Sequence, residues 1–150
     1  METIEASLLK HPFMRGIEPA LIKEMVPCAS FVTFNSGDFI ARVDEEAHRF
    51  YLLLHGRVSI QTFSPKKGPI TVQTLGEGEM LGRFWLKKPY RWRFEARAQE
   101  LTRAIALDVK CLSEKCEANH SLGYAFMKRY TYGLVLQFRT LRLQLLDMLE

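Results

Sequence analysis

Along this chain the apolar positions change period twice, and those two changes divide it into three parts. Up to residue 29 they recur at helical spacing. Residues 2 to 10 read as a short helix closed by His11-Pro12. A second amphipathic helix enters at Glu18-Pro19, turns Leu21, Ile22, Met25 and Val26 toward a core, and ends at Pro27. From Ser30 the pattern alternates. Phe31 to Phe34, Phe39-Ile40, Phe50 to Leu54, Arg57 to Phe63, Ile70 to Leu75, Phe94 to Ala98 and Thr102 to Leu107 read as strands, separated by Gly, Pro and Asn turns. Phe50 to Leu54 is apolar without interruption, which predicts a buried strand. His55-Gly56 is a tight corner after it, Lys66-Lys67-Gly68-Pro69 a hairpin tip, and Asp44-Glu45-Glu46 an acidic loop.

From Asp108 the helical period returns. Asp108 to Ala118 reads as a short helix, and Ser121 to Leu149 as one long helix weakened slightly by Gly123 and Gly133. The expected fold is mainly β with flanking helices. N-terminal helices occupy 1–29, an eight-stranded jelly roll or β-roll occupies 30–107, and C-terminal helices occupy 108–150, all in a single domain, 1–150.

In the long helix, Met127, Leu134, Leu141 and Met148 alternate with Thr131, Phe138 and Leu145 as the a and d positions of a heptad, Thr131 being the weak member. Such a stripe packs either on its own roll or on a second copy. Leu141, Leu143, Leu145, Leu146 and Leu149 lie beyond the reach of a small barrel, so a parallel homodimer through this helix is the favoured expectation.

Composition narrows the class. The 150 residues are 47% apolar and 25% charged, as in an ordinary globular protein. No apolar run approaches the roughly 20 residues that cross a bilayer. The opening METIEASLLKHPF has no cleavable apolar core, so the expected location is cytoplasmic and away from membranes. The net charge of +4 is spread over several segments apart from Lys87 to Arg97, which predicts a solvated surface. Cys28, Cys111 and Cys116 are an odd count without a CxxC pair, so structural thiols are expected in place of a disulfide framework or iron–sulfur site. Cys111, Cys116 and His120 fit no common zinc spacing. His11, His48, His55 and His120 are scattered and are expected to cap or face solvent. Without a nucleophile–base set, a carboxylate pair or a metal motif, no enzyme is expected.

Candidate chemistry concentrates in Leu75 to Ala98. A Gly-rich turn (Gly76, Gly78) leads to Met80-Leu81-Gly82, a short apolar turn, a basic loop and an alternating strand. Gly82 allows close backbone approach, and the free N–H groups after it suit an anion. Glu77 and Glu79 flank this turn and are expected to face solvent.

The whole plan resembles the cyclic-nucleotide-binding domain superfamily, shared by catabolite-activator-type regulators, kinase regulatory subunits and gated channels. The residues that carry the resemblance are His11-Pro12-Phe13 with Gly16, the corner Tyr51 to Val58, and Leu75-Gly76-Glu77-Gly78-Glu79 with Leu81-Gly82. It implies a regulatory, non-catalytic domain with a phosphate-binding cassette and a dimer helix. In catabolite activators a winged helix-turn-helix follows that helix. Here the sequence stops at Glu150, which implies a stand-alone sensor or adaptor without direct DNA binding.

The cassette departs from the family pattern at two positions. Where the family has a Glu for the ribose 2′-hydroxyl stands Arg83, and where it has the phosphate-binding Arg stands Trp92 in an ungapped reading. Strand parity puts Trp92 on the inward face with Phe94, Ala96 and Ala98, and Arg91 and Arg93 on the other, unless a one-residue bulge brings an arginine in. The ligand-site candidates are therefore Leu81, Gly82, Arg83, Phe84, Trp85, Arg91, Trp92 and Arg93. Three outcomes remain open. Phe84, Trp85, Tyr90 and Trp92 fill the cavity themselves, or Trp85 and Trp92 stack an anion unlike cAMP, or a cyclic nucleotide binds.

Overall fold

The computed structural model describes residues 2–82 and 90–150. Arg83, Phe84 and Trp85, together with the basic loop Lys87-Lys88-Pro89, fall outside those residues. The elements in chain order are helices α1 (Ile4–Lys10) and α2 (Pro19–Met25), strands β1 (Ala29–Phe34), β2 (Phe39–Ala41), β3 (Arg49–His55), β4 (Val58–Ser64), β5 (Gly68–Leu75), β6 (Met80–Leu81), β7 (Glu95–Ala98) and β8 (Thr102–Asp108), then helices α3 (Val109–Ala118) and α4 (His120–Leu149). Short 3₁₀ turns at Pro12–Met14 and Val26–Cys28 follow the first two helices. The α-helix thus ends at Met25, and Pro27 sits inside the tighter turn that follows it.

The eight strands form two four-stranded antiparallel sheets, ordered β1-β8-β3-β6 and β2-β7-β4-β5. This is the β-roll that alternation and turn spacing predict. The hairpin tip is shorter than expected, because Gly68 and Pro69 already pair with Ser64 and Phe63. Proline is tolerated there because β5 is an edge strand.

Two cores explain the apolar run of β3. Tyr51 and Leu53 face the other sheet, with Ala104 and Ala106 of β8 and Ala96 of β7. Phe50 and Leu52 face the helices, with Ile105 and Leu107 of β8 and Phe13, Leu112, Leu122 and Phe126. A strand covered on both sides has no position for a polar side chain, so alternation disappears. The corner after β3 needs Gly56, at φ +104°, because a Cβ there would sit 2.6 Å from Thr102 Cα and 2.7 Å from the Leu101 carbonyl oxygen.

Each later helix starts on a side-chain cap. Asp108 Oδ1 accepts from the Cys111 N–H at 2.7 Å, and Asn119 Oδ1 from the Ser121 N–H at 3.1 Å. Gly123 has a packing role, since a Cβ there would approach the Cys116 carbonyl to 3.2 Å; it lets α4 lie close on α3. In α4 the buried residues are Leu122, Phe126 and Tyr130. They form a stripe distinct from the heptad. Of the heptad, Met127 packs partly on the helix-side core, while Thr131, Leu134, Phe138, Leu141, Leu145 and Met148 are exposed.

One expectation is overturned. Cys28 and Cys111 are joined in a disulfide with their Cα atoms 5.5 Å apart, and Cys116 is free. The cysteines are 83 residues apart in sequence. They become neighbours because β1 lies against β8, which sets Ala29 opposite Leu107 and brings the residues just outside both strands together.

Candidate functional site

The turn from Gly76 to Gly82 is held from behind by β3. The Leu53 N–H donates to Glu79 O at 2.9 Å, and the Gly78 N–H donates to Leu53 O at 3.0 Å. The same Leu53 carbonyl accepts from His11 Nε2–H at 3.0 Å. His11 Nδ1 accepts from the Phe13 N–H at 3.1 Å, so both ring nitrogens are occupied and the tautomer is fixed with its proton on Nε2. Pro12 packs on the turn, 3.1 Å from where a Cβ of Gly78 would stand. From α4, Arg129 donates to Phe13 O at 2.8 Å and Pro12 O at 2.9 Å. The glycine turn is thereby linked through Leu53, His11 and Pro12 to the long helix. His-Pro-Phe was visible in the sequence, but nothing there marked Arg129 as the residue that ties it down.

Burial lowers the pKa of His11, partly offset by its bond to Leu53. A histidine whose folded pKa lies below its unfolded value contributes stability that is complete above about 6.5 and is lost as pH falls toward the folded pKa. Denaturant midpoints are therefore expected to fall on acidification through that range. His11→Gln, which retains a donor, is expected to flatten this dependence and to cost about 1–3 kcal/mol at neutral pH. Equal pH slopes in the two proteins would show that His11 does not carry the effect.

Trp92 is buried at 4% exposure in the core between the sheets. Its ring stacks on Tyr51, centroids 6.4 Å apart at 18°, and meets Phe94 edge-on at 5.7 Å. Its Cη2 lies 3.4 Å from where a Cβ of Gly82 would be, and Phe50 Cβ lies 3.1 Å from the same point. Gly82, at φ +102°, is needed because the chain passes between these two side chains. The close approach that glycine permits is thus made by the protein's own rings.

The acidic loop sets the parity of this segment. The Trp92 N–H donates to Glu45 O at 3.0 Å, the Asp44 N–H donates to Trp92 O at 2.9 Å, and the Ala47 N–H donates to Tyr90 O at 2.6 Å. Arg91 faces outward and gives Nη1 to Asp44 O at 2.8 Å, and Arg93 is also exposed. Neither guanidinium is on the inward face with Trp92. Leu81 is buried and Gly82 lines the cleft described next, whereas Arg83, Phe84 and Trp85 lie outside the described residues.

In front of Gly82, between the roll and α4, is a cleft of about 610 Å³. Ile60, Leu75, Leu81 and Phe94 line it on the roll side, and Leu134, Leu136 and Leu141 on the helix side. Gln137 Nε2 crosses to Gln73 Oε1 at 3.3 Å. Among the described residues the one cation on the wall is Arg129, already bonded to the two carbonyls. No group of three His, Cys, Asp or Glu side chains suited to a metal occurs among the described residues.

The sequence matches the cyclic nucleotide-binding domain family over residues 31–119. No curated protein matches it. The fold is similar to a cyclic nucleotide-binding domain from Methylobacillus flagellatus, with TM-score 0.81 and 17% identity over 88% of this chain and 74% of that one. It is also similar to the sensor domain of the transcriptional regulator DNR from Pseudomonas aeruginosa, with TM-score 0.70 and 19% identity over 89% and 90%. A third likeness is to the catabolite activator protein of Thermus thermophilus, with TM-score 0.70 and 20% identity over 91% of this chain and 63% of that one. At these identities the likeness is one of fold.

Proposed function

The chain belongs to the cyclic nucleotide-binding domain family, and on that premise we propose that it is a non-enzymatic regulatory sensor or adaptor whose affinity for cAMP and cGMP is weak or lost. The observation that carries this reading is the position of Trp92. Its indole lies against Gly82 and stacks on Tyr51 at the point where the family pattern calls for a phosphate-binding arginine. A charge-assisted contact to phosphate is worth roughly 1.5–3 kcal/mol, so its loss weakens binding about tenfold to hundredfold. Arg83, at the position of the ribose glutamate, carries no acceptor for a hydroxyl proton. The cleft leaves room for a different small anion, and the link from Gly78 to Arg129 offers a route from its occupancy to α4.

Two measurements test this reading. Calorimetric titration with cAMP and cGMP is expected to give no heat, or heat only at millimolar ligand; micromolar binding would establish a cyclic-nucleotide receptor instead. The second concerns assembly. The exposed heptad residues of α4 favour a parallel homodimer, since a free helix gains nothing from facing Leu134, Phe138, Leu141 and Leu145 to water. Leu141→Asp with Leu145→Asp is expected to convert a dimer to a folded monomer in light scattering. A wild-type monomer, or a double variant that stays dimeric, would rule out this interface. No described helix is long and apolar enough to cross a membrane, and a cytoplasmic location is part of the proposal.

A further inference from the structure

The disulfide joins the N-terminal helical layer to α3, the helix against which the root of α4 packs. Cys28 closes the N-terminal layer at the entrance to β1, and Cys111 lies in the first turn of α3. On the core side α3 is held by buried Val109 and Leu112. Its other end is tied by Asn119 Nδ2, which donates to Glu24 Oε2 of α2 at 2.8 Å in an exposed bond. Cys116 backs directly onto Gly123, so a shift of α3 is passed to α4. Among these ties the disulfide is the covalent one, and it opens by chemistry distinct from ligand binding.

We propose that Cys28–Cys111 is a redox-operated lock on α3: closed, it pins the root of the long helix to the N-terminal layer; opened by a dithiol reductant, it frees that root to move. Its bearing on signalling rests on the sensor reading above, and its operation in the cell on the cytoplasmic location proposed with it; the opening and closing of the bond rest on neither. In a glutathione-buffered compartment persistent disulfides are rare, and those that form are usually transient and catalytic or redox-sensing.

The two sulfurs differ in access. Cys28 is buried at 6% exposure, whereas Cys111 is half-buried, so Cys111 is the more accessible of the two to a reductant. One thiolate of the dithiol attacks Cys111 Sγ, the S–S bond breaks, and Cys28 leaves as a thiolate that takes up a proton. The second thiol of the reductant then attacks the mixed disulfide, giving the Cys111 thiol and the oxidised cyclic reductant. Closure uses a low-molecular-weight disulfide. Cys111 displaces one thiol from it, and Cys28 displaces the other as the internal bond forms. Cys116 does not compete, because burial, with Glu117 beside it, pushes its pKa up to about 11 and keeps it protonated.

Hydrogen exchange on the full chain, in glutathione disulfide and then in excess dithiothreitol, tests the lock without any nucleotide. Reduction is expected to open α3 and the first turns of α4 locally, so that they exchange about tenfold or more ahead of the β-roll core, whose own exchange speeds only as far as global stability falls. Cys28→Ser should show the fast pattern in both buffers, and Cys116→Ser should switch like the wild type. If Cys28→Ser does not fold, Cys111→Ser and reduction of the wild type in place give the same comparison. Free Cys28 and Cys111 in the oxidised protein by thiol labelling, a bond that resists excess dithiol in the native state, or unchanged exchange would each overturn the proposal. A failed or successful cAMP titration bears only on the function proposed above.

Discussion

Replacing Trp92 with alanine is expected to lower the unfolding free energy by about 3–5 kcal/mol, the range for truncating a large buried aromatic. The loss is of this size because its neighbours have little means of closing the gap. Tyr51 is fixed in β3 between β6 and β8, Gly82 has no side chain to move in, and Ala96, Ala104 and Ala106 are too short to fill the space. A cavity with apolar walls stays empty and accepts an apolar guest. Added indole should therefore recover part of the lost thermal stability in Trp92→Ala and none in the wild type. A loss of under about 1 kcal/mol in urea denaturation would mean that the ring is not packed as described. Trp92→Arg makes the functional comparison. It should cost similar stability, yet bring a cation toward Gly82 and raise cAMP affinity about tenfold to hundredfold in calorimetry. Unchanged affinity would remove Trp92 as the cause of weak nucleotide binding.

Loss of the disulfide has an effect of the same order. Closing a loop across 83 residues restricts the unfolded chain, and the chain-entropy relation assigns it about 4–5 kcal/mol. Cys28→Ser or Cys111→Ser in oxidising buffer is expected to lower the urea midpoint to that of the reduced wild type, whereas Cys116→Ser should leave it nearly unchanged. Coincident midpoints for oxidised wild type and Cys28→Ser would mean that the bond contributes nothing. A loss of this size is large against the 5–15 kcal/mol that holds a typical domain folded. The reduced protein should thus be folded but easily unfolded, which suits a lock that opens in the native state.

The exposed stripe of α4 and the inward direction of Trp92 were both legible in the residues. The heptad is a local period, and apart from Met127 its members stay exposed because Leu122, Phe126 and Tyr130 already cover the core. The inward direction of Trp92 was also local, because strand parity is a two-residue rule. Whether a bulge intervened was not, since that depends on the bonds of Asp44, Glu45 and Ala47 to the Tyr90–Trp92 segment, which lies more than forty residues on in the chain.

By itself the sequence determined the two changes of period, the positions of the long helix and of every strand except β6, and the glycines where the backbone turns or passes close to another group. Those are properties of neighbours in the chain, set by side-chain period and backbone sterics. Only the tertiary structure decided that Cys28 meets Cys111, that His11 and Arg129 tie the glycine turn to α4, and that Trp92 fills the space beside Gly82. The first two join residues far apart in sequence, and the third depends on Tyr51 and Phe50, which lie more than forty residues before Trp92. Their meeting depends on how two sheets and a helical layer close on one another, and no local pattern records it.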